Sequence, residues 1–528
     1  MQNKYSFRYL ILLLLCAVCI NSCRKETPSW DVDVIAPLIK STLSVNNIIP
    51  DSILAVNPDN SLDIIYDAAL TSFATNNLFV FPDTSLNMVF MSPFQILIPG
   101  TGSITSATVE HVVLEGGVEL KNGIIRSGDM KVSVTSSLKG KVDFSFNVPG
   151  LINPSGNIFQ TVMTVPAGTT TTAGVYNGIF DLSGYKLNLT GLNGFSVNTL
   201  VINYAAVINE PDSILIEAGD SIRFSFSINQ IVPQYVKGYF GDTTTSDPDS
   251  ASFSLFSHII NGTVDIENID IGLNFENNMG ADGVVTVNSL SSVNSKTGNT
   301  IPLSHPIIGT PVNITRALDN NGVITPSYYS VALGASNSNI KQFVENLPDS
   351  FKIHLTNQIN PLGNVSGYND FGYYEKPMKL YLKMRIPLSL LANNLTMADT
   401  VDFKMETNTD NVNHGNLYVY FENGFPFTAE VQLYLMNDNS TIIDSLISAP
   451  NSIAAPPLNA NLICTGKAET KLTIPMSAEK LNELRSAKKM YIKIKFNTAN
   501  QPSYVKIYSF YQINVKVVGD FNYTLGKN

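Results

Sequence analysis

Charge is what this sequence has least of. Only 14% of its 528 residues are Asp, Glu, Lys or Arg, against a usual quarter. The 33 basic and 43 acidic residues give a formal net charge of −10. No basic patch accompanies that balance, which argues against a nucleic-acid partner. The five histidines, His111, His258, His305, His354 and His414, never stand three or four residues apart, so no helical zinc pair exists. A G-x-S-x-G elbow, a Gly-rich phosphate loop and an H-E-x-x-H helix are all missing, and nothing in the chain calls for a cofactor. A triad gathered from distant residues stays open, because triads are spatial. No apolar run reaches the 18 or so residues of a membrane-spanning helix.

Cysteine is nearly as scarce. Four are present, at positions 16, 19, 23 and 464, and three of them fall in the first 23 residues. That stretch has its own pattern. Lys4 and Arg8 form a short positive region, followed by an unbroken apolar run of 12 residues from Tyr9 to Ile20. The run is too short to span a bilayer and suits the core of a secretory signal. Ile20-Asn21-Ser22-Cys23 follows at once.

This ending resembles the lipobox of bacterial lipoproteins, which signal peptidase II cuts just before the cysteine. The resemblance implies that Cys23 becomes the first mature residue and carries the lipid. Acyl chains anchor by burial, at about 0.8 kcal/mol per methylene. Residues 1–22 would leave as the signal, and 23–29 would form a tether. The mature chain keeps about 505 residues, with 31 basic against 43 acidic. Cys464 alone would stay unmodified, so no disulfide framework is available within one chain; it reads as a small buried apolar residue. Arg24-Lys25-Glu26-Thr27 lacks the acidic run associated with surface export in Bacteroidota, which favours the periplasmic face of the outer membrane over the cell surface. The lipobox and the Asn-rich segments together resemble outer-membrane lipoproteins of that group, a resemblance of class that transfers no functional residue.

Alternation with period two dominates the rest. It runs through KVDFSFNV (141–148), SIRFSFSI (221–228), KLYLKMRI (379–386), KMYIKIKFN (489–497) and VKIYSFYQINVKV (505–517). Each stretch has one apolar and one polar face, the mark of a half-buried antiparallel strand. Asn- and Gly-bearing turns separate them. The fold class expected is all-β, mainly antiparallel β-sandwich or barrel-like domains, with a few short helices. SAEKLNELRSAKK (477–489) is one helix, with Ser477 as its N-cap. SNSNIKQFVENLP (336–348) is another, with Ile340, Phe343, Val344 and Leu347 on one face. GDTTTSDPDSAS (241–252) reads as a linker. The expected domains are 30–245, 251–408 and 409–528. VELKNG, LNFENNMG and VYFENGFP place Asn122, Asn277 and Asn423 at spacings of 155 and 146. These are either three related β units or one hairpin chemistry reused.

Three groups of residues carry functional expectations. Asp31 and Asp33 share one face of a strand, as an acid/base pair, a calcium pair or a solvated face. The aromatic stretches QYVKGYFGD and GYNDFGYYEKP contribute Tyr235, Tyr239, Phe240, Tyr368, Phe371, Tyr373 and Tyr374, which stack on a sugar, meet a protein partner, or cover strand edges. Asp followed by Ser or Thr and then Ala, an aliphatic residue or Thr recurs with acceptors Ser52, Ser213, Ser221, Thr243, Ser250, Thr400 and Ser445. That tripeptide resembles the O-glycosylation acceptor of Bacteroidota envelope proteins, and it is also good turn chemistry before a strand.

The functional expectation is a lipid-anchored, non-enzymatic envelope protein that binds a protein partner or a glycan at the outer membrane. A carrier of a lipid or other apolar ligand in a β-lined cavity, and an enzyme acting on envelope polymers, are the alternatives. Mass spectrometry of the mature N-terminus should find an acylated Cys23, and Cys23→Ser should abolish both the acylation and the cut before residue 23. An unmodified N-terminus at another residue would defeat the anchor.

Overall fold

The computed structural model describes residues 29–525 apart from 48, 50, 75–80, 112–113, 115–116, 321, 403–411 and 448–450. The signal segment, Cys23 and nearly all of the tether lie outside the described residues. Within them strands dominate, and the α-helices are two, Ile340–Glu345 and Ala478–Ser486. Ser477 caps the second, its hydroxyl accepting the Lys480 N–H at 3.2 Å. Ile340, Phe343 and Val344 of the first, with Leu347 beyond it, are buried. No helix among the described residues is long and apolar enough to cross a membrane.

Following the ladders in chain order reveals one topology used three times. The first set of strands is Thr84–Met91, Ser103–His111, Glu119–Ser136, Val142–Ile152, Ile158–Val165, Gly174–Asp181, Thr199–Ile208 and Ser221–Tyr239. Counted one to eight, they pair as 1-8-3-6 and 2-7-4-5, all antiparallel. The second set is Leu62–Phe73, Thr243–Ser252, Asp270–Asn277, Gly283–Asn294, Asn299–Pro302, Ser327–Leu333, Ser350–Ile359 and Met378–Pro387. It pairs in the same order. So does the third, Trp30–Ser44, Ser389–Asp402, Val412–Asn423, Phe427–Met436, Ile442–Ser445, Ala468–Met476, Lys489–Thr498 and Gln512–Leu525. Two four-stranded sheets with this eight-strand order make a jelly roll.

The rolls are nested rather than consecutive. All of roll one lies between strands one and two of roll two. Both lie between strands one and two of roll three. This position tolerates insertion because strands one and two belong to different sheets, so a longer connection breaks no ladder. Two compact units result. Met1–Ile65, Ser257–Asn268 and Ile386–Asn528 hold roll three, and Tyr66–Phe256 with Ile269–Arg385 hold roll one and nearly all of roll two. The expected boundaries at 245 and 408 therefore give way to discontinuous units. The expected linker 241–252 contains strand two of roll two, paired along Thr243–Ser252 with Ser350–Ile359. Its polar sequence misleads because it is an edge strand, where charge and Pro are favoured.

Each roll fills its interior from alternate residues. In roll one the two F-S-F stretches face each other: Phe144 stacks on Phe224 at 4.8 Å, and Phe146 meets Phe226 at 5.4 Å. In roll three Leu417, Ile474 and Met476 of one sheet join Val431 and Leu435 of the other, with Leu481 and Leu484 of the helix.

The Asn pattern resolves at the corner between strands three and four. Asn277 accepts the Met279 N–H at 2.9 Å and donates to the carbonyls of Ala281 and Thr315. Asn423 accepts the Phe425 N–H at 2.9 Å and donates to Phe427 and Ala454. Both are buried. Asn122 is not equivalent; it lies inside a strand, opposite Asn188 and Lys237. In roll one the corner residue is Ser136, whose hydroxyl accepts the Leu138 N–H at 3.2 Å. Asn277→Ala and Asn423→Ala should each cost about 1–3 kcal/mol, because each strands buried backbone groups. Asn122→Ala should stay within about 0.5 kcal/mol. Chemical denaturation of the three variants checks the difference.

Candidate functional site

The two aromatic stretches, far apart in sequence, are neighbours in space. Strand Asp370–Tyr373 pairs with the end of Ser221–Tyr239, with Tyr235 opposite Tyr373 and Lys237 opposite Phe371. The Tyr235 and Tyr373 rings lie 4.7 Å apart. Tyr373 donates to Asp319 at 3.2 Å. Arg126 lies over the Tyr374 ring at 4.1 Å and pairs with Glu375 at 2.8 Å. Lys121 lies over Tyr368 at 4.4 Å. Phe240 and Phe371 are core residues, at 0% and 6% exposure, and the four tyrosines named here are half-buried. The ring at Phe371 explains Gly280, where a Cβ would stand 2.1 Å from it. Beneath the strip, Asp370 is fully buried and spoken for by the Phe240 N–H, Asn360 and Arg316. Phe240 and Phe371 thus correct the expectation of a stacking surface: alternation turns Phe240 inward, and Phe371, on the same face as Tyr373, is covered where its ring packs on Gly280. The tyrosines mainly bond to one another and to charged neighbours.

Other expected residues are scattered. Asp31 and Asp33 do share a face, and cross-strand donors satisfy them, Thr524 at 2.7 Å and Asn522 at 3.2 Å. Among the described residues no His, Cys, Asp and Glu group is arranged to hold a metal. Ser52, Ser213, Ser250 and Thr400 are exposed. Ser213 immediately precedes strand Ile214–Ile216, whereas Ser250 and Thr400 lie within strands rather than turns. Ser221 and Thr243 open strands, and the Thr243 hydroxyl is buried with no hydrogen-bond partner among the described residues. The Ser445 hydroxyl accepts from Gln432 and donates to Ile447. Cys464 is half-buried, and burial pushes its thiol pKa up. Ser246 and His354 approach to 3.0 Å, but on an open sheet face where Ser246 also bonds Thr356. No carboxylate joins them among the described residues.

Sequence reading kept a β-lined cavity as an alternative but named none of its lining; the structure places a cavity inside roll two. It measures about 230 Å³ and opens between the sheet bearing Leu62–Phe73 and Met378–Pro387 and the sheet bearing Thr243–Ser252 and Ser350–Ile359. Phe275, Val285, Leu355 and Leu380 make it apolar, and Ser72, Thr245, Asp249, Asn357 and Lys379 make it polar. Asn357 is 8% exposed, and its Oδ1 has no hydrogen-bond partner among the described residues. A signal was available. In SFKIHLTNQI the inward positions read Phe351, Ile353, Leu355, Asn357, Ile359, an amide in an apolar slot.

No family model matches the chain, and no curated protein is similar to it in sequence. Among solved structures it is similar to a candidate secreted protein of Parabacteroides distasonis, at 9% identity, with a TM-score of 0.27 over 92% of this chain and 99% of that one. It is also similar to an archaeal virus protein described by a triple jelly roll fold and turret assembly, at 12% identity, with a TM-score of 0.12 over 87% and 95%. Such scores carry no argument, and the jelly-roll assignment stands on the strand pairing alone.

Burial, then the neighbouring Tyr373 and Asp319, pushes Tyr235 up to about 12. Burial and Asp319 also raise Tyr373. A phenol raised this way keeps its proton in the fold while the unfolded chain ionises near 10. Its contribution to stability is complete below about pH 10 and is lost as pH climbs toward 12. Tyr235→Phe should flatten the fall in stability across that window, read by denaturant unfolding at pH 9, 10 and 11. An unchanged pH profile would place Tyr235 in solvent.

Proposed function

We propose that this chain is a lipid-anchored, non-enzymatic binding protein of the outer membrane, on its periplasmic face, and that roll two binds one ring of a glycan. The single observation that carries the reading is Asn357. A buried carbonyl oxygen with no partner costs about 1–3 kcal/mol, so its retention on an otherwise apolar strand face has a use. A ligand hydroxyl entering the cavity would donate to it.

The size fits that class. At about 230 Å³ the cavity falls below the roughly 300 Å³ where sites for drug-sized ligands begin. It suits a single ring better than an acyl chain, which weighs against the apolar-ligand carrier. Phe275 and Leu380 offer apolar contact for a ring face, and Thr245, Asp249, Ser72 and Lys379 offer hydrogen bonds near the opening. The exposed Ser52, Ser213, Ser250 and Thr400 are the better O-glycosylation acceptors of the seven, because an attached glycan needs a free hydroxyl.

Thermal denaturation of the mature chain with a panel of neutral, amino and acidic sugars tests the proposal. At least one sugar should raise the melting temperature. Asn357→Leu should be as stable as the parent or more so without ligand, and should lose the ligand-dependent rise. Equal rises in parent and variant, or no rise with any sugar, would sink this reading.

A further inference from the structure

One end of the roll-one sheet carries two loops that offer apolar side chains to solvent, one its own and one from the connection between strands seven and eight of roll two. In the loop after strand Lys186–Asn188, Leu192 is 73% exposed and Phe195 86%. In the loop before strand Asp370–Tyr373, Leu362 is 82% exposed and Val365 64%. Isolated exposed hydrophobics need no explanation, so what matters is whether these four stand together.

The ladders bring them together. Across the sheet the order is Asp370–Tyr373, Ser221–Tyr239, Glu119–Ser136, Lys186–Asn188. Lys186–Asn188 runs toward Asn122, and the chain continues past it, with the Leu189 N–H donating to the Lys121 carbonyl. It returns where the Asn198 N–H donates to the Leu120 carbonyl, while the Asn198 side chain accepts the Leu120 N–H at 2.7 Å. Asp370 stands at the same end, opposite Gly238, which is itself opposite Leu120. Tyr368 stacks with Lys121. Both loops are therefore rooted at Leu120 and Lys121. Three strand spacings, about 14 Å, separate their bases.

Neither loop is a loose one. Thr190 bonds the Asn188 side chain through its N–H and its hydroxyl, and the Ser196 N–H bonds the Thr190 carbonyl. Asn360 is clamped to Asp370 at 2.7 Å, and the Asn364 side chain accepts the Tyr368 N–H at 2.9 Å. Asx and backbone bonds thus hold apolar tips outward instead of letting them fold back on the sheet. Leu189–Asn198 reads LTGLNGFSVN and 360–369 reads NPLGNVSGYN, with no acid, base or histidine in either.

We propose that this end of the sheet inserts both loop tips into the headgroup region of a phospholipid surface. Uncharged convex tips lose no ionic hydration on entering it, and Leu, Phe and Val gain about 25 cal/mol for each Å² of apolar surface they bury. Asn and Ser amides and hydroxyls suit the polar headgroup layer, an aromatic ring suits its boundary, and Lys121 at the root offers a cation to a lipid phosphate. The contact is independent of acylation at Cys23 and of the cavity at Asn357.

The mature chain, residues 23–528 carrying Cys23→Ser, has neither the apolar signal nor an acylation site and is sedimented with vesicles of phosphatidylcholine and phosphatidylglycerol at 70:30. The parent should co-sediment. Leu192→Ser with Phe195→Ser, and Leu362→Ser with Val365→Ser, should each weaken binding about tenfold or more without lowering the melting temperature. A Phe195→Trp reporter in a Trp30→Phe background should blue-shift on vesicles. Failure of the parent to bind, equal binding by the paired variants, or an unshifted reporter would overturn the proposal. Loss of Cys23 acylation in the native chain would overturn the anchor instead and leave this result standing.

Discussion

The ladder between Trp30–Ser44 and Gln512–Leu525 is the constraint on which the rest depends. Roll three has its first strand at the start of the described chain and its last seven after Ile386. It closes only when both ends meet. Everything between Ser44 and Ser389 must then begin and end close together, and the nested rolls meet that demand because strands one and eight of a jelly roll are neighbours. The entropic cost of so long a closure grows only logarithmically with its length. It does slow folding, since the pairing is as non-local as this chain allows.

The corners between strands three and four show how a shared topology is held by local chemistry. A chain that leaves one sheet for the facing one exposes an N–H two residues past the corner and carbonyls nearby. Asn277 and Asn423 meet these with one amide each, and Ser136 meets the N–H with a hydroxyl. Burial makes these bonds matter, because water cannot replace them. The same reasoning inverted marks Asn357. There the amide is buried and its oxygen has no partner among the described residues, which is the cost on which the proposed sugar site rests.

Roll one and roll two use their surfaces differently. In roll two the apolar interior is interrupted by polar groups around a cavity, and the proposed sugar site lies within the sandwich. In roll one the interior is closed by packed Phe rings, and the unusual apolar residues lie outside, on one of its short braced loops and on the roll-two connection beside it. Rigid sheets supply the positions in both cases, and loops or edge strands supply the chemistry.

The sequence by itself determined the class. Period-two alternation made KVDFSFNV and SIRFSFSI strands, Ser477 marked a helix start, and the 146-residue spacing of Asn277 and Asn423 was a true structural echo. Those features are local, so propensity and pattern suffice for them. Pairing between distant segments was not legible. Strand one of roll three finds its partner almost five hundred residues later, and Thr243–Ser252 becomes a strand only because Ser350–Ile359 lies beside it. Tyr235 and Tyr373 meet, and Phe371 is covered, for the same reason. Tertiary structure alone decided which polar residues face a cavity and which apolar tips share one end of a sheet, since both are set by contacts that alternation along one strand cannot specify.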